Sequence, residues 1–309
     1  MWFKNLQLFQ FTEEFTTSPE QLAEQLAGFG FSPCHGVDAR SMGWVAPTGE
    51  ADAPLVHAAN GFIMLSLKVE EKVVPAAVVR EQLNAKIAEV EIRENRKVRK
   101  KEKDSFKDEI FYSLLSRAFS KSHSVFAYID PTDKWLVVNT TSRKKAEEFT
   151  EYLRKCLGSL KIQVPQVQAV AALLTDWLST QKYPADFVIE DTCILQDNKA
   201  SGSIRCQKQN LLSDEIQSLI EAGREVTQLA MSWHEQIGFA LKEDFSVRSI
   251  RFLEGVKDQA NDIFTETARA RFDADFVIMT ETLRGFIRAL MKIFAKQAET
   301  GKNKQAAFA

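Results

Sequence analysis

Cysteine and histidine are scarce in this chain, and neither recurs at a spacing that builds a site. The four cysteines, Cys34, Cys156, Cys193 and Cys206, lie far apart with no CxxC pair. That argues against a disulfide framework or a structural zinc site and favours reduced thiols in the cytosol. The four histidines, His35, His57, His123 and His234, have no partner at metal-ligand spacing, and the sequence His234-Glu235 that could open a zinc-protease motif has Gly at 238 instead of a second histidine. Ordinary core or surface roles are therefore expected for them. Long apolar runs are missing too. The longest, residues 169–174, is far too short to cross a membrane. The opening MWFKNLQLFQF has no basic segment followed by an apolar block, so no signal peptide is expected. A phosphate-binding GxxxxGK[ST] loop, a GxGxxG after a strand and a GxSxG elbow are all absent, which removes the common nucleotide-binding and hydrolase signatures.

What is present is an ordinary globular composition with one unusual concentration of charge. The chain has 309 residues, 45% apolar and 27% charged. That is too apolar for disorder and long enough for two domains, or for one domain with a large appendage. The net charge is −2, yet residues 93–107 carry Arg93, Arg96, Lys97, Arg99, Lys100, Lys101, Lys103 and Lys107 against only Glu94, Glu102 and Asp104. A positive stripe gathered in an acidic chain usually faces phosphate.

Periodicity places that stripe. Aromatic and branched residues predict a strand over 2–11. Ser18-Pro19-Glu20-Gln21 supplies a capping box with proline at the first helical position, for a helix to about Gly28. Ile63, Leu65, Leu67 and Val69 alternate with Met64, Ser66 and Lys68, as in a half-buried strand. Pro75 opens a helix whose apolar face is Val79, Leu83, Ile87 and Val90, and that face nearly vanishes after Ile92. Running on to Lys101, this helix would be ~40 Å long and would project as an arm. A second helix is expected from about Asp104, carrying Phe106, Ile110, Leu114 and Phe119. A hairpin over 124–140 turns at Asp130-Pro131-Thr132-Asp133, and a helix over 143–157 stops at Gly158. Beyond residue 164 the pattern predicts a helix over 170–178, strands over 187–195 and 203–207, and a helix between Ser213 and Gly223. An antiparallel meander (226–233, 238–242, 247–252), a long helix over 273–296 and a loose tail over 299–309 complete the chain. The fold class expected is α+β, with mixed antiparallel sheets, a projecting helical arm and a long C-terminal helix. The domain division expected is 1–75 and 121–163 as one α+β domain, 76–120 as the arm, and 164–309 as a second α+β domain.

Within the arm, Glu89–Arg93, Glu94–Lys97 and Lys100–Asp104 would cancel charge, but Arg93–Lys97–Lys101, Arg96–Lys100 and Arg99–Lys103–Lys107 set like charges four apart. Each such pair costs roughly 0.2–0.5 kcal/mol in an isolated helix, so the pattern favours an anionic partner over a merely solvated face. Val98 alone gives no apolar face for a membrane surface. No base-reading motif is visible, and no aromatic residue is interleaved with the lysines as a stacking platform would need. Duplex phosphate, bound without base readout, fits best.

Two acidic clusters compete with that reading. Paired carboxylates at Asp273 and Asp275 could hold magnesium for phosphodiester cleavage. Their place at the expected start of the last helix favours dipole capping instead. Glu190 and Asp191 are neighbours in an expected strand and point to opposite faces. For Phe119 the residues alone favour a core phenylalanine closing the second arm helix, and for Lys208 a solvated loop lysine.

Several separated blocks resemble the bacterial recombination-associated RdgC family: WFKNLQLF at the start, MGWVAP at 42–47, EKDSFKDEIFYSLLSRAF at 102–119, KKAEEF and LGSL over 144–160, RCQKQNLLSDEI at 205–216 and RFDADFVIMTETL at 271–283. The resemblance implies a cytoplasmic, nucleoid-associated protein that binds double-stranded DNA with little sequence preference. It implies a homodimer closed into a ring around DNA that restrains the recombinase RecA, with no catalytic residue, no metal and no cofactor. By the same resemblance Phe119 would sit in a dimer contact at the arm tips and Lys208 would face the DNA channel, joining the basic residues of 93–107. One departure stands out: Ser116 replaces an expected proline, which would permit the helix to run on. The alternatives are a metal-dependent nuclease using Asp273 or Asp275, and a helix-docking adaptor for an acidic protein partner.

Overall fold

A computed structural model describes residues 2–50, 52–197, 202–263 and 267–295. The elements in chain order are β1 (Gln7–Phe11), α1 (Pro19–Ala27), β2 (Arg40–Val45), β3 (Val56–Ala59), β4 (Phe62–Lys72), α2 (Ala76–Glu94), α3 (Lys100–Leu115), β5 (Ser120–Asp130), β6 (Trp135–Val138), α4 (Arg143–Leu157) and β7 (Ile162–Gln163). They continue with α5 (Val170–Thr180), β8 (Phe187–Asp197), β9 (Ser203–Gln207), α6 (Asp214–Glu221), β10 (Arg224–Trp233), β11 (Ile237–Lys242), β12 (Val247–Phe252), α7 (Glu254–Asp262) and α8 (Ala268–Phe294). This is the expected α+β class, with two antiparallel sheets and a long helix near the C-terminus. The tail expected over 299–309 lies outside the described residues.

The larger sheet has seven strands in the order β2-β4-β5-β6-β1-β7, with β3 also on β4. One face takes Ile63, Leu65, Leu67 and Val69 of β4, covered by Leu22 and Leu26 of α1 and by Ala146, Phe149 and Leu153 of α4. Ser18 caps α1 through a reciprocal box with Gln21, as its spacing predicts. The other face takes Phe62 and Met64 with Tyr128, Trp135 and Val137, and joins the core of the smaller, five-stranded sheet, ordered β12-β11-β10-β8-β9. Strand β4 is therefore buried on both faces from Phe62 to Leu67, not half-buried as its alternation suggests. Alternation reports which side is more apolar. It cannot report that a second layer will cover the less apolar one.

Helix α8 supplies that layer. Its Phe276 ring lies 6.4 Å from Phe62 of the larger sheet, and its Phe286 ring 4.7 Å from Phe239 of the smaller. Arg284 reaches from α8 to the β5–β6 turn, donating from Nε to Asp130 Oδ2 at 2.7 Å and from Nη2 to Asp130 Oδ1 at 3.0 Å. Its guanidinium stacks 4.0 Å from the Phe62 ring centroid. Asp130 also accepts the Thr132 and Asp133 N–H groups, so one carboxylate closes the turn and receives the helix. Helix α8 begins at Ala268, several residues before the expected start, with Thr267 as its cap, the side chain accepting the Ala270 N–H. Helix α7 and strands β2, β3 and β7 were not legible in the pattern.

The MGWVAP block falls on β2 because that strand passes unusually close to the chain leaving α1. Trp44 exchanges backbone hydrogen bonds with Phe29 and Phe31, each at 3.0 Å. A Cβ on Gly43 would lie 2.4 Å from Phe31 Cα. Gly43→Ala should therefore destabilise the protein by about 1–3 kcal/mol through overpacking against backbone. Asp130→Asn, which leaves the Arg284 charge without its buried partner, should cost about 3 kcal/mol. Urea unfolding followed by circular dichroism measures both, and an unchanged midpoint for either variant would contradict the corresponding contact.

Candidate nucleic-acid interface

The arm is a helical hairpin, not a single rod. Helix α2 ends at Glu94, where Asn95 takes a left-handed conformation (φ 49°), a cap that asparagine tolerates better than most residues. Arg99 then precedes α3, which starts at Lys100, ahead of the expected Asp104. With 19 residues, α2 is ~28 Å long, not ~40 Å. The two helices pack on each other: Lys86 Nζ bridges to Glu109 Oε2 at 2.6 Å and lies 4.7 Å from the Phe106 ring centroid. Val90 and Val98 are both buried near the turn. Val98, isolated in the sequence, is the apolar plug of that end.

Two carboxylates hold the turn, one from each helix. Glu91 accepts the Val98 N–H at 3.0 Å and pairs with Lys97 Nζ at 2.8 Å. Glu102 accepts the Arg99 N–H at 2.9 Å and takes a forked contact from Arg96, at 2.9 and 2.6 Å. That fork and the Arg99 N–H hold the Glu102 carboxyl down at about 2, and the same pairing raises Arg96. Arg96 also meets Glu94 at 2.7 Å, while Arg93 meets Glu94 at 3.1 Å and Glu89 at 4.0 Å.

The turn separates the basic residues into two groups. Arg93, Arg96 and Lys97 are paired within the arm. Arg99, Lys100, Lys101, Lys103 and Lys107 are exposed and form no salt bridge among the described residues. Lys100, Lys103 and Lys107 follow the three- and four-residue spacing of one face of α3. The helix break also removes most of the expected like-charge neighbours: Arg93–Lys97, Arg96–Lys100 and Lys97–Lys101 all span the turn. Lys103–Lys107 remains as a pair four apart within one helix.

Phe119 lies between α3 and β5 with 89% of its surface exposed, so it is no core residue; it stands at the base of the arm beside Val73, not at the tip, which is the turn between α2 and α3. Only its backbone is tied down, its carbonyl accepting the Val73 N–H at 2.8 Å. Ser116 does not prolong α3. The helix stops at Leu115, and Ser116 Oγ donates to the Ser113 carbonyl at 2.9 Å. At the base of the arm, Val74, Ala76, Val79, Leu83 and Phe111 line an open apolar hollow of about 440 Å³, flanked by Arg80 and Lys107. Lys208 is far off in the chain, directly after β9, exposed and with a left-handed backbone (φ 53°).

The acidic candidates are engaged elsewhere. Asp273 and Asp275 lie inside α8 and do not cap it. Asp273 Oδ1 stands 3.2 Å from His57 Nε2, and Asp275 Oδ1 stands 3.2 Å from Arg271 Nε. The His57 ring sits between Phe272 and Phe276, and this burial lowers its pKa. Glu190 pairs with Arg251, and Asp191 accepts from Thr192 Oγ1. Among the described residues no group of three His, Cys, Asp or Glu side chains is placed to hold a metal ion, and no helix is long and apolar enough to cross a membrane. Sequence reasoning missed the roles of Glu91 and Glu102. The visible signal was the loss of the apolar face together with Asn95; an arginine before α3 hides the cap that Glu102 completes.

Comparison with known proteins follows the whole chain rather than the arm alone. The family model described as RdgC, putative exonuclease, matches residues 1–297. The recombination-associated protein RdgC of Serratia proteamaculans (strain 568) is 39% identical over 304 residues, covering 97% of this chain and 99% of that protein. Proteins of the same name from Yersinia pestis (strain Pestoides F) and Yersinia pseudotuberculosis serotype O:1b (strain IP 31758) are each 39% identical over 305 residues, with the same coverage.

The turn has a pH signature. A carboxyl whose folded pKa is depressed contributes stability above its unfolded pKa and loses it as pH falls through the folded value. The Glu102 contribution should thus be complete above about 4.5 and gone below about 2. Hydrogen exchange at Val98 and Arg99 should accelerate across that window relative to the α4 amides. In Glu102→Gln the exchange should already be fast at neutral pH. Equal protection of the variant and the parent at pH 7 would rule out the staple.

Proposed function

The chain belongs to the RdgC family, and from that premise we propose that it is a sequence-independent double-stranded-DNA-binding protein of homologous recombination. In this reading it is a homodimer closed into a ring around duplex in the cytoplasmic nucleoid. It limits access of the recombinase RecA and makes or breaks no bond. The observation that carries the proposal is the set of exposed lysines on α3, which form no salt bridge among the described residues while Glu91, Glu94 and Glu102 are engaged by Arg93, Arg96 and Lys97 around the turn; the exposed Asp104 of α3 offsets only part of that charge. Charges already paired have little left to offer a phosphate, so Lys100, Lys101, Lys103 and Lys107 are the primary contacts. Arg93, Arg96 and Lys97 chiefly shape the arm. Lys208 joins the contacts through the family resemblance, supported by its exposure.

Several features favour duplex backbone over bases or single strands. Phe106 faces α2 under Lys86 rather than standing among the lysines as a stacking surface. No helix-turn-helix or zinc reader accompanies the arm among the described residues. Self-association is supported by the exposed Phe119 side chain and by the apolar hollow at the arm base, because exposed aromatic anchors with a pocket nearby are typical of protein contacts.

Fluorescence anisotropy with unrelated duplexes tests the DNA reading. Replacing Lys100, Lys101 and Lys107 together by Gln should weaken binding to all sequences alike, and the log–log salt slope should shrink by roughly 0.9 for each phosphate that is no longer neutralised. Unchanged affinity and slope at low salt would overturn it. Phe119→Asp should lower the mass seen by light scattering from dimer to monomer; a persistent dimer would remove Phe119 from the interface. The family description names an exonuclease, so DNA incubated with magnesium or manganese supplies the competing test: end-degradation that disappears in Asp273→Asn or Asp275→Asn would replace the non-enzymatic reading. An acidic protein partner would be indicated if duplex DNA failed to compete it from the arm.

A further inference from the structure

Two cysteines separated by twelve intervening residues meet across the outer strands of the smaller sheet. Strand β9 is its edge, paired antiparallel with β8, and the register sets Cys206 directly opposite Cys193. Directly opposed residues share one face and bring their Cβ atoms to about 4.5–5.5 Å. A disulfide needs about 3.5–4.5 Å, so only a small closure separates the two states.

The two thiols differ in a way that orders a reaction. Cys193 is fully buried in the core with Leu195 and Leu229, whereas Cys206 is half-buried at its margin. Burial, reinforced by Cys206, pushes the Cys193 thiol up to about 12, so it stays protonated in the folded dithiol and gives up its proton only to the thiolate it displaces. The other cysteines have different surroundings: Cys34 Sγ donates to the Glu70 carbonyl, and Cys156 Sγ accepts from Trp44 Nε1.

We propose that Cys193 and Cys206 form a reversible dithiol–disulfide pair that staples the edge strand β9 to β8 when a small-molecule disulfide, such as oxidised glutathione, reaches Cys206. Cys206 loses its proton to solvent and its sulfur attacks one sulfur of the oxidant. That S–S bond breaks, and the first glutathione leaves as thiolate and takes up a proton. The Cys193 sulfur then attacks the Cys206 sulfur of the mixed disulfide, releasing the second glutathione, which receives the Cys193 proton. Two protein thiols are oxidised and one small disulfide is reduced to two thiols. The staple fixes the register of an exposed edge strand and of the chain that leads straight into Lys208. It is independent of the DNA-binding reading, since it rests on the ladder and the thiols alone.

The full-length folded protein is incubated with oxidised glutathione, alkylated, digested without reduction and mapped by mass spectrometry. The expected result is a Cys193–Cys206 link that dithiothreitol reverses, with a higher Tm for the oxidised form. Cys193→Ser should stop at a glutathione adduct on Cys206. Cys206→Ser, checked for folding by circular dichroism, should leave Cys193 unmodified. A wild-type protein that keeps a glutathione adduct on Cys206 without linking, or that links only in urea, would overturn the proposal.

Discussion

The Arg284–Asp130 contact is the constraint on which the rest of the molecule depends. It is the most deeply buried polar contact between α8 and the larger sheet among the described ion pairs, and the apolar contacts around it are non-directional. The bidentate pair fixes both the rotation and the height of the helix. Asp130 is 2% exposed and Arg284 14% on their side chains, so neither charge can be left alone without a large desolvation cost. Arg288 repeats the device at the neighbouring Asp133, and Asn60 donates to Glu281 at 2.8 Å. The polar stripe of α8 is spent on the β5–β6 and β3–β4 turns, while its apolar stripe fills the space between the sheets.

That rigid body gives the arm its meaning. Strand β4 leads into α2, and α3 returns into β5, which pairs with β4 from Lys72↔Ser120 down to Ile63↔Ile129. The arm therefore grows from the two central, most extensively paired strands of the larger sheet, which a projecting lever requires. At its far end the acids do structural work. Glu91 and Glu102 neutralise the basic residues that would otherwise repel across the turn, so the hairpin can close while the lysines of α3 remain exposed. Positive charge at the tip is thus compatible with a folded tip.

Legibility varied with how local the cause was. The capping box at Ser18, the Gly158 stop after α4 and the Asp130-Pro131 turn were readable because each motif is satisfied within a few residues. The end of α2 was not, since Asn95 is permitted rather than compelled to turn left-handed, and the closing carboxylates come from seven residues before Val98 and three after Arg99. Asp273 and Asp275 mimic a helix start because the true one, Ala268 with its cap Thr267, lies upstream of a stretch with no strong apolar period. Phe119 imitates a core residue, since hydrophobicity alone does not say which apolar residues remain outside.

By itself the sequence determined the family, the α+β class and the concentration of basic residues in one segment. Composition, block order and local periodicity carry those properties without reference to distance in space. Tertiary structure alone decided which of those basic residues are engaged, that β4 is covered on both faces, and that Cys193 faces Cys206. Each of these is a distance between segments set by a turn, a second layer or a strand register. Ion pairing, burial and sulfur contact fall off over a few ångströms, a scale on which separation along the chain says almost nothing.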